Sequence, residues 1–455
     1  MRHVKKAGRL QLVSQLVLHG TVSGPSIMSY LLKYSAFAVF LLLGAGGSPA
    51  HAFRIVTEGG PKIQSDSGNF ELGLNARAHL DVHSFSQDSA NPAFPPFGSQ
   101  TLTSDDGSGF NWRRTYATLT GKFYRLNFKF ENDFAAGDFP HTLRETWVST
   151  KLGSGLVTVG QFKPYRGMEE LTSSNEITLM ERPSTSSTGI YNGRQFLMGM
   201  GYKDTIGGKF GYGVDVMSLG HMGLPIEGLT YGGRAVWLPI SEEGTTVHFG
   251  FSFSRDHATA ESLSAGAVDV YGGRIGIRKS LGTAGAGMAA GSSTQTTFAA
   301  EAAWALGPVT VQGEYANSRL DNTHLVGGAQ KDSTVQAYYV QASWFVTGEK
   351  ALYRKERGTF GKPTPISKLG ALELAIRYDL AENTMQSLMA DPCRTGTSKC
   401  QVEVITLGAN WYVRPGLRFM LNYYVTEASI GNVGPGTANR KDEPYVISFR
   451  TQLSF

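Results

Sequence analysis

Apolar and polar residues alternate one for one along much of this chain. Phe70, Leu72, Leu74, Ala76, Ala78, Leu80 and Val82 alternate with Glu71, Gly73, Asn75, Arg77, His79, Asp81 and His83. Tyr124, Leu126, Phe128 and Phe130 alternate with Arg125, Asn127, Lys129 and Glu131. Val247, Phe249, Phe251 and Phe253 alternate with His248, Gly250, Ser252 and Ser254. In the last run Tyr445, Ile447, Phe449, Leu453 and Phe455 oppose Val446, Ser448, Arg450, Gln452 and Ser454. Side chains of a strand point alternately to its two faces, so a period of two means strands held between two different solvents. Sixteen strands are expected, near 70–84, 110–120, 123–134, 142–152, 156–163, 196–204, 209–219, 230–239, 245–255, 295–306, 308–318, 335–347, 369–380, 401–413, 416–427 and 444–455.

A soluble sandwich also alternates, so further features are needed. Segments of about 9–13 residues match tilted spans of a bilayer. Tight connections at Gly121-Lys122, Leu306-Gly307-Pro308 and Arg414-Pro415-Gly416 alternate with long ones near 85–109, 164–195, 257–294, 381–400 and 428–443. That is the rhythm of short periplasmic turns and long extracellular loops. Trp237, Trp304, Trp344 and Trp411 fall at the same end of their strand pairs, the place of an aromatic girdle. The expected fold is all-β, a sixteen-stranded antiparallel transmembrane β-barrel. Closure pairs every backbone group within the lipid. Sixteen strands leave a lumen wide enough for water.

Charge sharpens the picture once it is located. The net charge of +5 and pI near 9.0 first suggest an anionic macromolecule as partner. Only 17% of residues are charged, which speaks against a nucleic-acid binder, and a mean hydropathy of −0.17 excludes a bundle of apolar helices. Residues 1–52 hold Arg2, Lys5, Lys6, Arg9 and Lys33 and no acid, which leaves 37 basic and 37 acidic residues in the rest. Lys33, the apolar run Tyr34 to Leu43 and the Ala50-His51-Ala52 site read as a signal peptide over 1–52, with Met28 as a candidate true start. The barrel domain is then 53–455 and carries no net charge. Cys393 and Cys400, the two cysteines, can close a short disulfide loop in an oxidising compartment. With no His or further Cys beside them they do not read as a metal site, and no cofactor is expected.

One segment is more specific. Gly160-Gln161-Phe162-Lys163-Pro164 leads into Glu169-Glu170-Leu171-Thr172-Ser173-Ser174-Asn175 and Met180-Glu181-Arg182. With Ser343-Trp344-Phe345-Val346-Thr347-Gly348-Glu349, Gly370-Ala371-Leu372-Glu373-Leu374-Ala375-Ile376-Arg377-Tyr378 and Gly408-Ala409-Asn410-Trp411-Tyr412, most of the chain after the leader resembles the phosphate-selective porins O and P. The resemblance implies homotrimers in the outer membrane of a Gram-negative bacterium. Each barrel would be narrowed by an infolded extracellular loop and would pass phosphate or pyrophosphate passively along a ladder of arginines. Phe455 resembles the terminal residue by which the outer-membrane assembly machinery recognises barrels.

By that resemblance 164–195 is the constriction loop. Lys163, Arg166, Arg182 and Arg194 there are balanced by Glu169, Glu170, Glu176 and Glu181. For Glu170, Glu181 and Arg182 a salt-bridged scaffold is the favoured reading, because a buried loop must satisfy its polar groups. Arg274, Arg278 and Lys279, in the connection 257–294, are candidates for the anion path. So are Arg354 and Lys355 in the long periplasmic connection 348–368. Arg77, Arg125, Lys129, Arg377, Arg418 and Arg450 are expected on the inner wall, paired with Asp81, Glu131, Glu373 and similar neighbours. His79 and His83 are expected to line the lumen rather than bind a metal. The functional alternatives are a weakly selective porin, an outer-membrane enzyme and an adhesin barrel. No Ser-centred catalytic motif stands out, and an adhesin has no need of a constriction loop.

Overall fold

The computed structural model describes residues 53–56, 61–86, 106–137, 142–186, 190, 196–219, 228–259, 267–269, 278–280, 292–326, 329–383, 400–430 and 440–455. Residues 1–52, where a signal peptide is expected, and Arg194, Arg274 and Cys393 lie outside them. Sixteen strands form the wall. They are β1 (Phe70–Ser86), β2 (Asp106–Phe123), β3 (Leu126–Asp133), β4 (Leu143–Leu152), β5 (Gly155–Phe162), β6 (Leu197–Ile206), β7 (Phe210–Ser218) and β8 (Gly228–Glu242). Then follow β9 (Thr245–Thr259), β10 (Ser292–Leu306), β11 (Val309–Val326), β12 (Ala329–Phe345), β13 (Ala371–Asn383), β14 (Cys400–Arg414), β15 (Leu417–Ile430) and β16 (Tyr445–Ser454). Each pairs antiparallel with its sequence neighbours. β16 pairs with β1 from Tyr445↔Ser86 to Ser454↔Arg77, which closes the sheet. Outside the wall, Lys62–Ser65 adds to the lower part of β1, below the end of β16.

Burial runs opposite to that of a soluble protein. Along β16, Phe449 is 41% exposed and Arg450 is 0% exposed. The apolar face looks outward to lipid, and the polar face is covered from within. Trp237, Trp304, Trp344 and Trp411 all sit on the outer face near the tight turns, and Trp237 and Trp411 stack on Phe249 and Phe419 at 5.8 Å. The turns at Gly307 and Gly416 follow the expected pattern. Both glycines adopt positive φ (55° and 88°), which their missing Cβ permits.

Three expectations are corrected. The turn between β2 and β3 lies at Tyr124-Arg125, not at Gly121-Lys122. Gly121 is instead a strand residue whose missing side chain leaves room for the ring of Phe128. Tyr124 takes φ 54° and packs edge-on against Phe70 and Phe123 at 5.1 Å. Arg125 consequently stands exposed in that turn, not on the inner wall. Finally, β11 and β12 run on through the polar stretch 319–334 and meet at Val326↔Ala329. That stretch is polar at most positions, so the alternation fades while the backbone ladder continues.

Candidate functional site

Residues 163–186 leave the wall after β5 and cross the lumen. Two chemistries hold them there. Wall oxygens accept the loop's backbone N–H groups. Tyr165 N donates to Asp215 (2.8 Å), Gly167 N to Ser252 Oγ (3.1 Å), and Met168 N and Glu169 N to Glu314 (3.0 and 2.7 Å). Ser184 N donates to Asp379 at 2.9 Å. Between these points wall side chains donate to loop carbonyls. Arg418 reaches Ile177 O and Thr178 O (both 2.8 Å), Arg450 reaches Met180 O (2.6 Å) and Arg377 reaches Glu181 O (2.9 Å). A loop inside a barrel has lost much of its water, so each of these groups needs a protein partner. Small wall residues make the seats. A Cβ on Gly213 would lie 2.7 Å from Tyr165 Cγ, and one on Gly201 would lie 2.8 Å from Tyr165 Cε2. Ile177, Leu179 and Met180 are fully buried against the wall.

The charged loop residues are paired. Lys163 meets Glu170 at 2.5 Å and Arg166 meets Asp215 at 3.0 Å. Arg182 donates to Glu169 O (3.0 Å) and Thr172 O (2.6 Å) and lies 3.6 Å from Glu170. Glu181 is gripped by Arg113 through two bonds of 2.8 Å and by Arg450 at 2.8 Å, while Arg450 also chelates Asp81 at 2.6 and 2.7 Å. Burial alone would raise the Glu181 carboxyl, but Arg113, Arg450 and Arg114 hold it well below the usual carboxylate range. Burial, reinforced by Arg182, lowers the Lys163 ammonium to about 8 in spite of Glu170. On the wall, Arg77 meets Glu131 at 3.0 Å, Lys129 meets Glu145 at 2.6 Å and Arg418 approaches Glu373 at 3.8 Å. His79 bonds Asn175 (2.9 Å) and His83 bonds Ser448 (2.7 Å). Among the described residues no three His, Cys, Asp or Glu side chains come together as a metal site.

The periplasmic connection 346–370 rises from below. Its short hairpin, Leu352–Arg354 with Thr359–Gly361, is anchored by Arg234, which donates to Arg357 O (2.9 Å) and Gly358 O (2.7 Å). Arg354 meets Glu176 of the loop at 2.5 Å, and Lys355 donates to Ser241 O at 2.8 Å. Arg278 and Lys279 fall elsewhere, in a small ladder of Arg278–Ser280 with Ala267–Asp269 that is separate from the wall. Cys400 begins β14.

Between loop and hairpin lies a cavity of about 1550 Å³ that reaches down to Pro415 and Phe455. The wall contributes Arg77, Arg114, Lys129, Lys151, Lys203 and Arg234 to its lining; the loop contributes Lys163 and Arg182; the hairpin region contributes Arg354, Lys355, Arg357 and Lys362. Against these twelve basic side chains stand five acidic ones, Glu131, Glu145, Glu176, Asp204 and Glu356. Residues 53–455 hold 37 basic and 37 acidic side chains, yet the lining of this cavity is basic. Among the described residues Arg114 Nη1 meets no acceptor and Lys362 donates to the Ser454 hydroxyl, at 2.9 Å, with no carboxylate at salt-bridge distance. Burial lowers the Lys362 ammonium to about 8, with Glu176 opposing and Arg418 adding to the shift.

Arg113 and Arg114 were absent from the sequence-based candidates. They are consecutive, so strict alternation would send one of them outward. A bulge sets His79 opposite Arg114 and Leu80 opposite Trp112, leaving Arg113 as the extra residue. Both side chains can then serve the lumen.

Known proteins agree with this architecture. Porin O of Pseudomonas aeruginosa is 24% identical over 394 residues, spanning 81% of this chain and 86% of its own. Among solved structures, an anion-selective porin from Comamonas acidovorans matches with a TM-score of 0.51 at 12% identity, over 85% of this chain and 100% of that one. The channel DcaP of Acinetobacter baumannii matches at 0.52 and 10% identity, over 86% and 99%. At such identities these two structures speak for the fold alone. Residues 97–455 match the family model of phosphate-selective porin O and P, so this closed, loop-constricted barrel belongs to that family and is a non-catalytic, porin-type channel of the outer membrane.

Proposed function

We propose that the barrel passes small anions selectively and passively, with phosphate or pyrophosphate as the favoured solute. The observation that carries the anion reading is the excess of cations along the cavity, set within a chain that is otherwise neutral after the leader. A lumen of one charge sign raises the local concentration of the opposite ion. Many weak sites, rather than one tight one, let that ion leave again. Guanidinium groups such as Arg114 suit oxyanions because they stay charged and offer forked donors. The preference for phosphate or pyrophosphate rests on the family. So do the contributions of Arg274, Arg278 and Lys279, and the trimer, whereas a disulfide between Cys393 and Cys400 rests on their short spacing and an oxidising compartment. Strands β3 to β7 are only 8–10 residues long and carry no Trp of the girdle, which suits a sector covered by neighbouring copies.

A second reading, a weakly selective porin, is favoured by two observations. The cavity is wide for a single oxyanion, and Arg77, Arg234 and Arg450 are already neutralised by Glu131, Glu301 and Asp81. Reversal potentials across a KCl gradient separate the outcomes. An anion-sign potential is expected, and a cation-sign potential would remove the anion reading. Phosphate is expected to inhibit chloride current more in the native channel than in Arg114→Ala, and equal inhibition would leave the general porin.

A further inference from the structure

One sector of this lumen sets aromatic rings among its cations. Trp147 points inward from β4, because its neighbour Val148 is 46% exposed on the outer face. Trp147, Tyr165 and Phe196 all line the cavity and are all only partly buried. They stand on one sector of the wall, from β4 to the root of the loop and the residue before β6. Aromatic surface left facing water is costly unless something covers it.

Cations surround these rings. Lys129 is the direct cross-strand neighbour of Trp147. Glu145 accepts from both Lys129 Nζ (2.6 Å) and Trp147 Nε1 (3.2 Å), which fixes the indole by its edge. Lys163 Nζ lies 5.6 Å from the centre of the Phe196 ring. Lys203 shares the same cavity, with no carboxylate at salt-bridge distance among the described residues.

We propose that this sector is a binding site for planar organic anions, an aromatic ring bearing a carboxylate or phosphate. The ring stacks on Trp147 and its neighbours while the acid group meets Lys203 or Lys163. Apolar walls with a few placed charges are the general form of small-molecule sites, and stacked aromatic pairs add to affinity beyond the area they bury. The site deepens the anion-channel reading and rests on it.

Benzoate and acetate share a carboxylate and a charge and differ by the ring. In planar bilayers holding the full-length protein, benzoate is expected to block chloride current at about three- to ten-fold lower concentration than acetate. Trp147→Ala brings the two blockers together, and Trp147→Phe keeps most of the difference. Val340→Ala, on the outer face of β12 and away from that sector, leaves the ratio as it was. If Trp147→Ala does not insert, Phe196→Ala carries the test, with the same convergence expected. Equal block by benzoate and acetate in the native channel overturns the site. So does an unchanged ratio in a conducting Trp147→Ala or Phe196→Ala channel. Either result, with an anion-sign reversal potential, leaves the anion channel standing, whereas a cation-sign potential overturns both.

Discussion

Glu181→Gln keeps the shape of the side chain and removes its charge. In the native loop that carboxylate takes three charge-assisted hydrogen bonds, two from Arg113 and one from Arg450, all at 2.8 Å. The side chains are 10%, 17% and 0% exposed, so water screens little of the interaction. A glutamine oxygen in the place of Oε1 can still accept from Arg113 Nε and Arg450 Nη2, but its amide then turns a donor toward Arg113 Nη2. Removing one partner of a buried ion pair costs about 3–5 kcal/mol, because the other charge is left without compensation. The loop itself stays in the lumen, since Met180 O and Glu181 O keep their bonds to Arg450 and Arg377. The expected result is therefore a less stable barrel with an intact pore. Equilibrium unfolding in detergent micelles, followed by tryptophan fluorescence, reads the first part. The reversal potential reads the second, and it moves further toward anion selectivity because one lumen carboxylate is gone. A loss below about 1 kcal/mol together with an unmoved reversal potential would mean the junction is wet, and the reasoning would fail.

Two further outcomes follow from the same geometry. Lys163 and Lys362 lose their protons near 8, so their charge is present below that pH and absent above it; anion selectivity should fall between about pH 7 and 9, and a potential that stays flat to about pH 10 contradicts this. The same two groups bind fewer protons folded than unfolded over that window, so their contribution to stability grows as pH rises through it. Gly213→Val puts a Cβ 2.7 Å from the Tyr165 ring and is expected to cost about 1–3 kcal/mol and to lower single-channel conductance by pushing the ring lumenward; native conductance and native unfolding would show that the seat is not tight.

The wall was legible in the sequence because lipid and water are different solvents, and a strand between them must alternate. That one rule gave the face of Arg450 and the count of sixteen. It failed wherever the two sides became alike or the ladder slipped. The hairpin through 319–334 was missed for the first reason and Arg113-Arg114 for the second. Gly121 misled because a glycine that admits the ring of Phe128 looks, in sequence, like a glycine that makes a turn. The loop's anchors were partly readable, since Arg377, Arg418 and Arg450 could be placed on the inner face. So were the wall carboxylates Asp81 and Glu373 beside Arg450 and Arg418, but the loop carbonyls that these arginines reach were not. Glu314 caps backbone groups 145 and 146 residues away, and no local pattern carries such a pairing.

Glu181 touches Arg113 on β2 and Arg450 on β16, and Arg450 in turn holds Asp81 on β1. The loop is thus fastened beside the seam where the first and last strands meet, at an arginine paired with an aspartate 369 residues away in the chain. The Glu181 clasp can close only when β16 stands beside β1 and β2. The anchors on β7, β9, β11, β13 and β15 do not wait for that seam. A barrel still open there would hold its loop by the far wall and lack the last clasp.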